Sequence, residues 1–296
     1  MSFNFIKYRK IYYFFSGILV LGSIASLVIF GLNFGIDFTG GSILELAFEN
    51  RPENQAIQDK LKDLNFGEIT IQPAGEKGVI LRLKDIPENT HQEIISKLGE
   101  ISKIEEKRFE SIGPVVGREL RQKTLILVVL AIAALLTYIA ISFRKVSQTV
   151  SGLKYGIVSI IALCFDVIVP IGVFAILGKF YNVQFNIPIV TALLTILGYA
   201  INDKIIIFDR IRENLLKGRG LENFRDLVNQ SLNQTIIRSL STGSCTLLVL
   251  CAIFFLGGET LKYFALTLMI GILAGTYSSL FLASPLLASW VMWRRK

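Results

Sequence analysis

The sequence predicts an α-helical membrane protein: a bundle of six transmembrane helices with an α+β domain inserted after the first helix and lying outside the membrane. Three observations carry this. Of 296 residues, 52% are hydrophobic and 18% charged, a balance too apolar for an ordinary soluble domain of that length. Six apolar runs reach the roughly 20 residues that cover the hydrocarbon thickness at about 1.5 Å each. Between the first two runs stands a polar stretch, Gly35 to Lys123, in which strand-like and helix-like apolar periods alternate.

The first run, Ile11 to Leu32, follows Lys7, Arg9 and Lys10. A basic start before an apolar run resembles a signal peptide, but this run is too long and has no convincing cleavage site at its outer end. Residues 1–34 are therefore read as a cytoplasmic N-terminus and an uncleaved first helix. The insert, residues 35–123, is large enough for a core of its own. Leu44, Leu46 and Phe48 alternate as on a strand, Ile57, Leu61 and Leu64 recur at helical spacing, and Ile69 and Ile71 alternate again. After turn residues Pro73 to Gly78 come Val79, Leu81 and Leu83, then a helical stripe of Ile94, Leu98 and Ile101, then a charged strand from Ile104 to Ile112. That order, βαββαβ, is the ferredoxin-like split unit. Glu105, Glu106, Lys107 and Arg108 suit an edge strand, where charge discourages pairing with another chain. The insert is read as a docking module, with a mere spacer as the alternative.

The remaining runs fill residues 124–296: Thr124 to Phe143, Tyr155 to Leu177, Ile187 to Phe208, Thr235 to Leu256, and Tyr263 to Val291. Lys and Arg near span ends are retained in the cytoplasm. The ends marked by Lys7, Arg9, Lys10, then Arg144, Lys145, Lys154, then Arg210, Arg212, Lys217, Arg219, Arg225, and finally Arg294, Arg295, Lys296 are assigned inside. The outer loops offer Lys179 and Lys262. Both termini are thus expected in the cytoplasm of a multi-pass protein. The net charge of +8 reflects this topology and contact with anionic lipids, not nucleic acid. In the loop 209–234, Leu221, Phe224, Val228 and Leu232 suggest a short amphipathic helix on the membrane surface, or one packed against the bundle ends.

Enzymatic chemistry has little material. Cys164, Cys245 and Cys251 all lie in apolar runs and His91 is the single histidine, so neither a metal site nor a Ser-His triad is expected. No cofactor is expected, and the chain is not read as an enzyme. Charges within spans are costly and default to function. Asp166 sits about 15 Å into its span, near the midplane, with Pro170 four residues on to kink the helix beside it. Asp203 lies about 8 Å from the cytoplasmic end of the fourth span, and Arg238 about 5 Å in on the antiparallel fifth. A carboxylate facing a guanidinium there would loosen on protonation, the basis of a proton-driven switch. A static bridge or snorkelling is the alternative for this pair, and a satisfied structural acid for Asp166. Thr191, Thr195, Gly198 and Asn202 form a small polar stripe on the fourth span, and Ser239, Thr242, Gly243, Ser244 and Thr246 crowd the fifth. Gly271, Gly275, Ser279 and Ala283 repeat every four residues on the last, a ridge that marks helix packing.

Gly35-Ile36-Asp37-Phe38-Thr39-Gly40-Gly41, Asp166-Val167-Ile168, and Gly198 to Asp203 running on to Phe208-Asp209-Arg210-Ile211-Arg212-Glu213-Asn214 together resemble the SecF family of bacterial protein-export membrane proteins. The likeness continues through Ser231 to Thr235 and Arg238 into Gly257-Gly258. It implies a six-span subunit of resistance-nodulation-division architecture that works with SecD, commonly YajC, and the SecYEG channel. Such a subunit uses the proton gradient to help draw a translocating polypeptide across the cytoplasmic membrane. It also implies proton-coupling roles for Asp203 and Arg238. Asn202 and Asp166 are counted with them as proton-coupling candidates, Asp166 on its kinked helix as a hinge or relay. Two departures stand out: Lys204 follows the acid where the family usually has a small hydroxyl residue, and Ala200 replaces a frequent serine. Lys204 would point about 100° away from Asp203, snorkelling or shifting its charge balance. Gly35, Asp37, Gly40 and Gly41 have a structural reading as a turn motif. A proton-driven exporter of small molecules or lipids, and a passive assembly subunit, remain as other readings.

Overall fold

The computed structural model describes residues 3–64, 69–142, 150, 152–217 and 224–293. Arg144, Lys145, Arg219, Arg294, Arg295 and Lys296, used above for sidedness, lie outside these residues, as does Leu221. The chain divides into two units, Met1–Asn33 with Val128–Lys296, and Phe34–Leu127.

In the second unit a single turn, α2 (Ile36–Thr39), precedes β1 (Gly41–Phe48), α3 (Asn54–Leu61), β2 (Thr70–Ala74), β3 (Gly78–Leu83), α4 (Glu88–Gly99) and β4 (Ile104–Ile112). The strands form one antiparallel sheet in the order β2-β3-β1-β4. Alternation does the work expected of it: Leu44 faces Leu81 and Leu46 faces Val79 across β1 and β3. Their side chains are buried with Phe48 and Leu83 beneath Ile57 and Leu61 of α3 and Ile94 and Leu98 of α4. Each such side chain contributes about 1.5–3 kcal/mol by leaving water. The charged strand β4 is an edge, and its register against β1 shifts between Glu45 and Leu46. Gly40 and Gly41 have φ of 76° and 133°, a region that favours glycine. A Cβ on Gly40 would stand 2.8 Å from Pro114 Cα, and one on Gly41 2.8 Å from the Leu83 carbonyl oxygen. Gly35 precedes the turn, its carbonyl accepting from the Thr39 hydroxyl at 3.1 Å, and Asp37 in that turn acts electrostatically on Arg108 of β4.

The other helices are α1 (Arg9–Phe30), α5 (Pro114–Ser142), α6 (Gly152–Tyr181), α7 (Ile187–Leu216), α8 (Phe224–Leu256), α9 (Glu259–Tyr277) and α10 (Ser284–Trp293). A π-helical segment, Ser278–Ala283, joins the last two. Six stretches are long and apolar enough to cross a membrane, with α9, the π segment and α10 acting as one. Phe14, Leu21 and Val28 of α1, Leu125 and Val129 of α5, and Leu248 and Phe255 of α8 are exposed, which suits a lipid-facing surface. α6 stays helical through Pro170, and α7 starts with the Asn186 side chain accepting from the Ile189 amide at 3.3 Å.

Two expectations change. Helix α5 begins at Pro114, well before Thr124: proline is favoured at the first helical position, and Val115 to Lys123 holds no further proline and a single glycine, Gly117. The segment 209–234 holds no separate surface helix among the described residues. Residues 209–216 complete α7, and Phe224 onward opens α8, with Phe224, Leu227, Val228 and Leu232 buried in the bundle core.

Candidate functional site

The site is built where α6, α7 and the last span cross. Small residues allow the approach: a Cβ on Gly275 would lie 2.9 Å from Ala200 Cβ, and one on Gly271 would overlap the Ile196 side chain. One turn along α7 from Ala200, on the same face, Lys204 reaches inward with no side-chain exposure. Its ammonium donates to Asp166 Oδ2 of α6 at 2.6 Å, to Ser278 Oγ at 3.1 Å and to the Ala200 carbonyl at 3.3 Å. Three donors thus meet three acceptors. Ser278 passes the chain on, donating to the Gly275 carbonyl at 3.1 Å, and Ser279 donates to the same carbonyl at 2.7 Å. The π segment starts at this point, as such segments often do at functional sites.

Asp203 is the adjacent residue on α7, so it faces about 100° away, toward Ser239 of α8 and Thr276 of α9. It is 2% exposed. Asp203 Oδ2, Ser239 Oγ and Thr276 Oγ1 are all buried without a hydrogen-bond partner among the described residues. Buried polar atoms are almost always satisfied; a carboxylate here could accept from both hydroxyls, and a neutral carboxyl could in addition donate to one of them.

The bridge expected between Asp203 and Arg238 is not formed. Arg238 is exposed, and no ion pair joins the two within 4.0 Å among the described residues. Equal depth does not guarantee equal direction: on α8 it is Ser239 that turns inward, and its neighbour is rotated away. Asn202 is likewise exposed. Arg238 still acts on Asp203 at longer range, as does Lys204. Asp166, expected as a relay or a satisfied acid, is the partner of Lys204. Lys204 itself, noted above as a departure, was not placed in the site by sequence reasoning. The available signal was that an ammonium within a span needs an acid.

Polar side chains join the cytoplasm-assigned end of α7 to the start of α8. Arg210 donates to Gln234 at 2.7 Å, and Asn214 donates to Ser231 at 2.8 Å and to Gln234 at 3.0 Å. The N-terminal strand of chain is tied to the same place, its Phe3 and Phe5 amides donating to Asn233 at 2.9 Å and Asn229 at 2.8 Å.

The family model described as protein export membrane protein SecD/SecF, C-terminal, matches residues 92–293, and the SecD/SecF GG motif matches residues 25–50. The protein translocase subunit SecF of Thermobaculum terrenum is 41% identical, over 97% of this chain and 93% of its own length. SecF of Desulfurispirillum indicum is 37% identical over 93% and 87%. The crystal structure of SecDF, a translocon-associated membrane protein from Thermus thermophilus, superimposes with a TM-score of 0.86 at 32% identity, covering 100% of this chain and 39% of that one. With the glycine pair, the crossing helices and the clasp all inside the matched regions, the chain belongs to the SecF family of protein translocase subunits and is a multi-pass membrane protein.

Proposed function

We propose that this chain, assembled with SecD, uses the proton motive force to assist Sec-dependent translocation across the cytoplasmic membrane, and that Asp203 takes up the proton. One observation carries the reading: a buried carboxyl, with no ion pair among the described residues, faces the Ser239 and Thr276 hydroxyls where three helices meet. Protonated, it carries no charge and the three helices pack closely. Ionised, it leaves an uncompensated charge that favours an arrangement admitting water or bringing Arg238 inward. The differential energy of those two packings is what a proton can shift.

The partner follows from the exposed faces. Thr191, Thr195 and Thr242 donate to the carbonyl four residues back and so are at ease in lipid. Asn202 and Arg238 make no side-chain hydrogen bond among the described residues, and lipid is a poor neighbour for either. SecD is the partner that the SecDF relatives carry in the same chain, and YajC and SecYEG follow from the family. The sheet order β2-β3-β1-β4 supports a ferredoxin-like reading of the insert, placed on the outer face with both termini inside, where it receives the emerging polypeptide.

The test is translocation of a secreted precursor into vesicles holding this chain with SecD and SecYEG, with and without a proton gradient. Asp203→Asn is expected to abolish the gradient-dependent part and leave the remainder. An unchanged gradient response contradicts the proposal.

A further inference from the structure

We infer that Lys204 is the positioning residue of the coupling site: committed to Asp166 and Ser278, its ammonium welds α6, α7 and the π segment into one frame and leaves Asp203 as the carboxyl that titrates. This deepens the proton-coupling reading of Asp203 and rests on it.

The apolar runs hold two carboxyls, on neighbouring helices, and adjacent residues of α7 treat them oppositely. Lys204 is turned toward α6, where its ammonium meets a carboxylate, a hydroxyl and a carbonyl within 3.3 Å. Such a set fully occupies the three donors, and no exposed surface lets the side chain leave by snorkelling. Asp203 is turned toward α8 and α9. The charged groups around it are then Lys204, already engaged, and Arg238, exposed on α8. From Tyr263 to Trp293 the last span carries no charged residue, so α9 offers only the Thr276 hydroxyl. α6 contributes Asp166, whose charge the ammonium balances. The buried set therefore holds two acids and one base, and a single proton makes it neutral. Without Lys204 there would be two unmatched carboxyls and no fixed site for that proton. Ser278 adds the mechanical part: through it the ammonium reaches the first residue of the π segment and, by the Ser278 bond to Gly275, the contact of Gly275 with Ala200. Packing changes at Asp203 are thereby directed to α8, the wall that carries no bond from Lys204.

The experiment uses the full chain with SecD in liposomes and dicyclohexylcarbodiimide, which modifies protonated carboxyls in apolar surroundings, with the modified residue identified by mass spectrometry. The native complex is expected to take the label at Asp203 and not at Asp166. Lys204→Gln is expected to add Asp166 as a second labelled site and to lose gradient-dependent translocation. Lys204→Gln with Asp166→Asn, an amide pair that keeps hydrogen bonding without charge and so guards against simple misfolding, is expected to return labelling to Asp203 alone and to restore translocation. Label at Asp166 in the native complex overturns the inference. So does a double variant that matches the native Tm but stays inactive, since the two charges would then take part in coupling themselves. Failure of the underlying function is read separately: an undiminished gradient response in Asp203→Asn removes the coupling role, while the labelling of Asp203 in the native complex and of Asp166 in Lys204→Gln still stands or falls on its own.

Discussion

Asp166 and Asp203 are both buried in the bundle, on helices that pack together, yet one shares a 2.6 Å ion pair with Lys204 and the other faces two hydroxyls, with no ion pair among the described residues. The difference lies in the rotation of α7 by one residue. It teaches that a charge inside a span can serve either rigidity or responsiveness, and that the partner decides which. A paired charge in low dielectric is hard to separate; an unpaired one is an invitation to a proton. On the proposed reading, the α6 side of α7 is the frame and the α8 side the part free to respond.

Each side can be probed by removing what distinguishes it. The largest effect is expected on the paired side: Lys204→Met strands the Asp166 carboxylate and should lower stability by about 3–5 kcal/mol, read as Tm of the purified complex, whereas Lys204→Met with Asp166→Leu should recover most of the loss. Next, Gly275→Val forces a branched side chain against Ala200 and should cost about 1–3 kcal/mol, with cross-linking between α7 and α9 reporting the widened gap. On the unpaired side Asp203→Asn should change stability by less than about 1 kcal/mol, because no ion pair is broken, while the gradient-dependent part of translocation is lost. The smallest effect belongs to the unit spanning 34–127, where Glu88 lies on an exposed surface. Hydrogen bonds from Gln92 and His91 hold the Glu88 carboxyl below the usual glutamate range. A lowered folded value means the contribution is present above the ordinary glutamate pKa, about 4.3, and fades as pH falls through the lowered one. Glu88→Gln should flatten that acid dependence, measured as hydrogen exchange of α4.

Those predictions rest on features of unequal visibility in the sequence. The six spans were legible because apolar length alone defines them, and the insert because Leu44, Leu46, Val79 and Leu81 alternate without interruption. The Asp166–Lys204 bridge joins residues far apart in the chain, and helical period shows which way a side chain points only once a reference face is known. The same ignorance made Arg238 the expected partner of Asp203, since depth could be counted and azimuth could not. The π segment has no mark of its own: Ser278 to Ala283 reads as ordinary helix, and the Ser284 hydroxyl bonding to the Ser279 carbonyl at 2.9 Å is a consequence of the bulge. The extension of α7 and α8 beyond the apolar layer was hidden because polar residues at the end of a span look like loop until the facing helix is seen. Their clasp, Arg210 and Asn214 to Ser231 and Gln234, explains those polar positions by hydrogen bonding between helix ends.

The most direct measurement is infrared difference spectroscopy of the complex with SecD in lipid, recorded between alkaline and acidic buffer, in the region where a protonated carboxyl absorbs. Asp203 as the proton acceptor predicts a carboxyl band that vanishes in Asp203→Asn and survives in the Lys204→Gln and Asp166→Asn double variant. A band that persists in Asp203→Asn, or that disappears with the double variant, would contradict it.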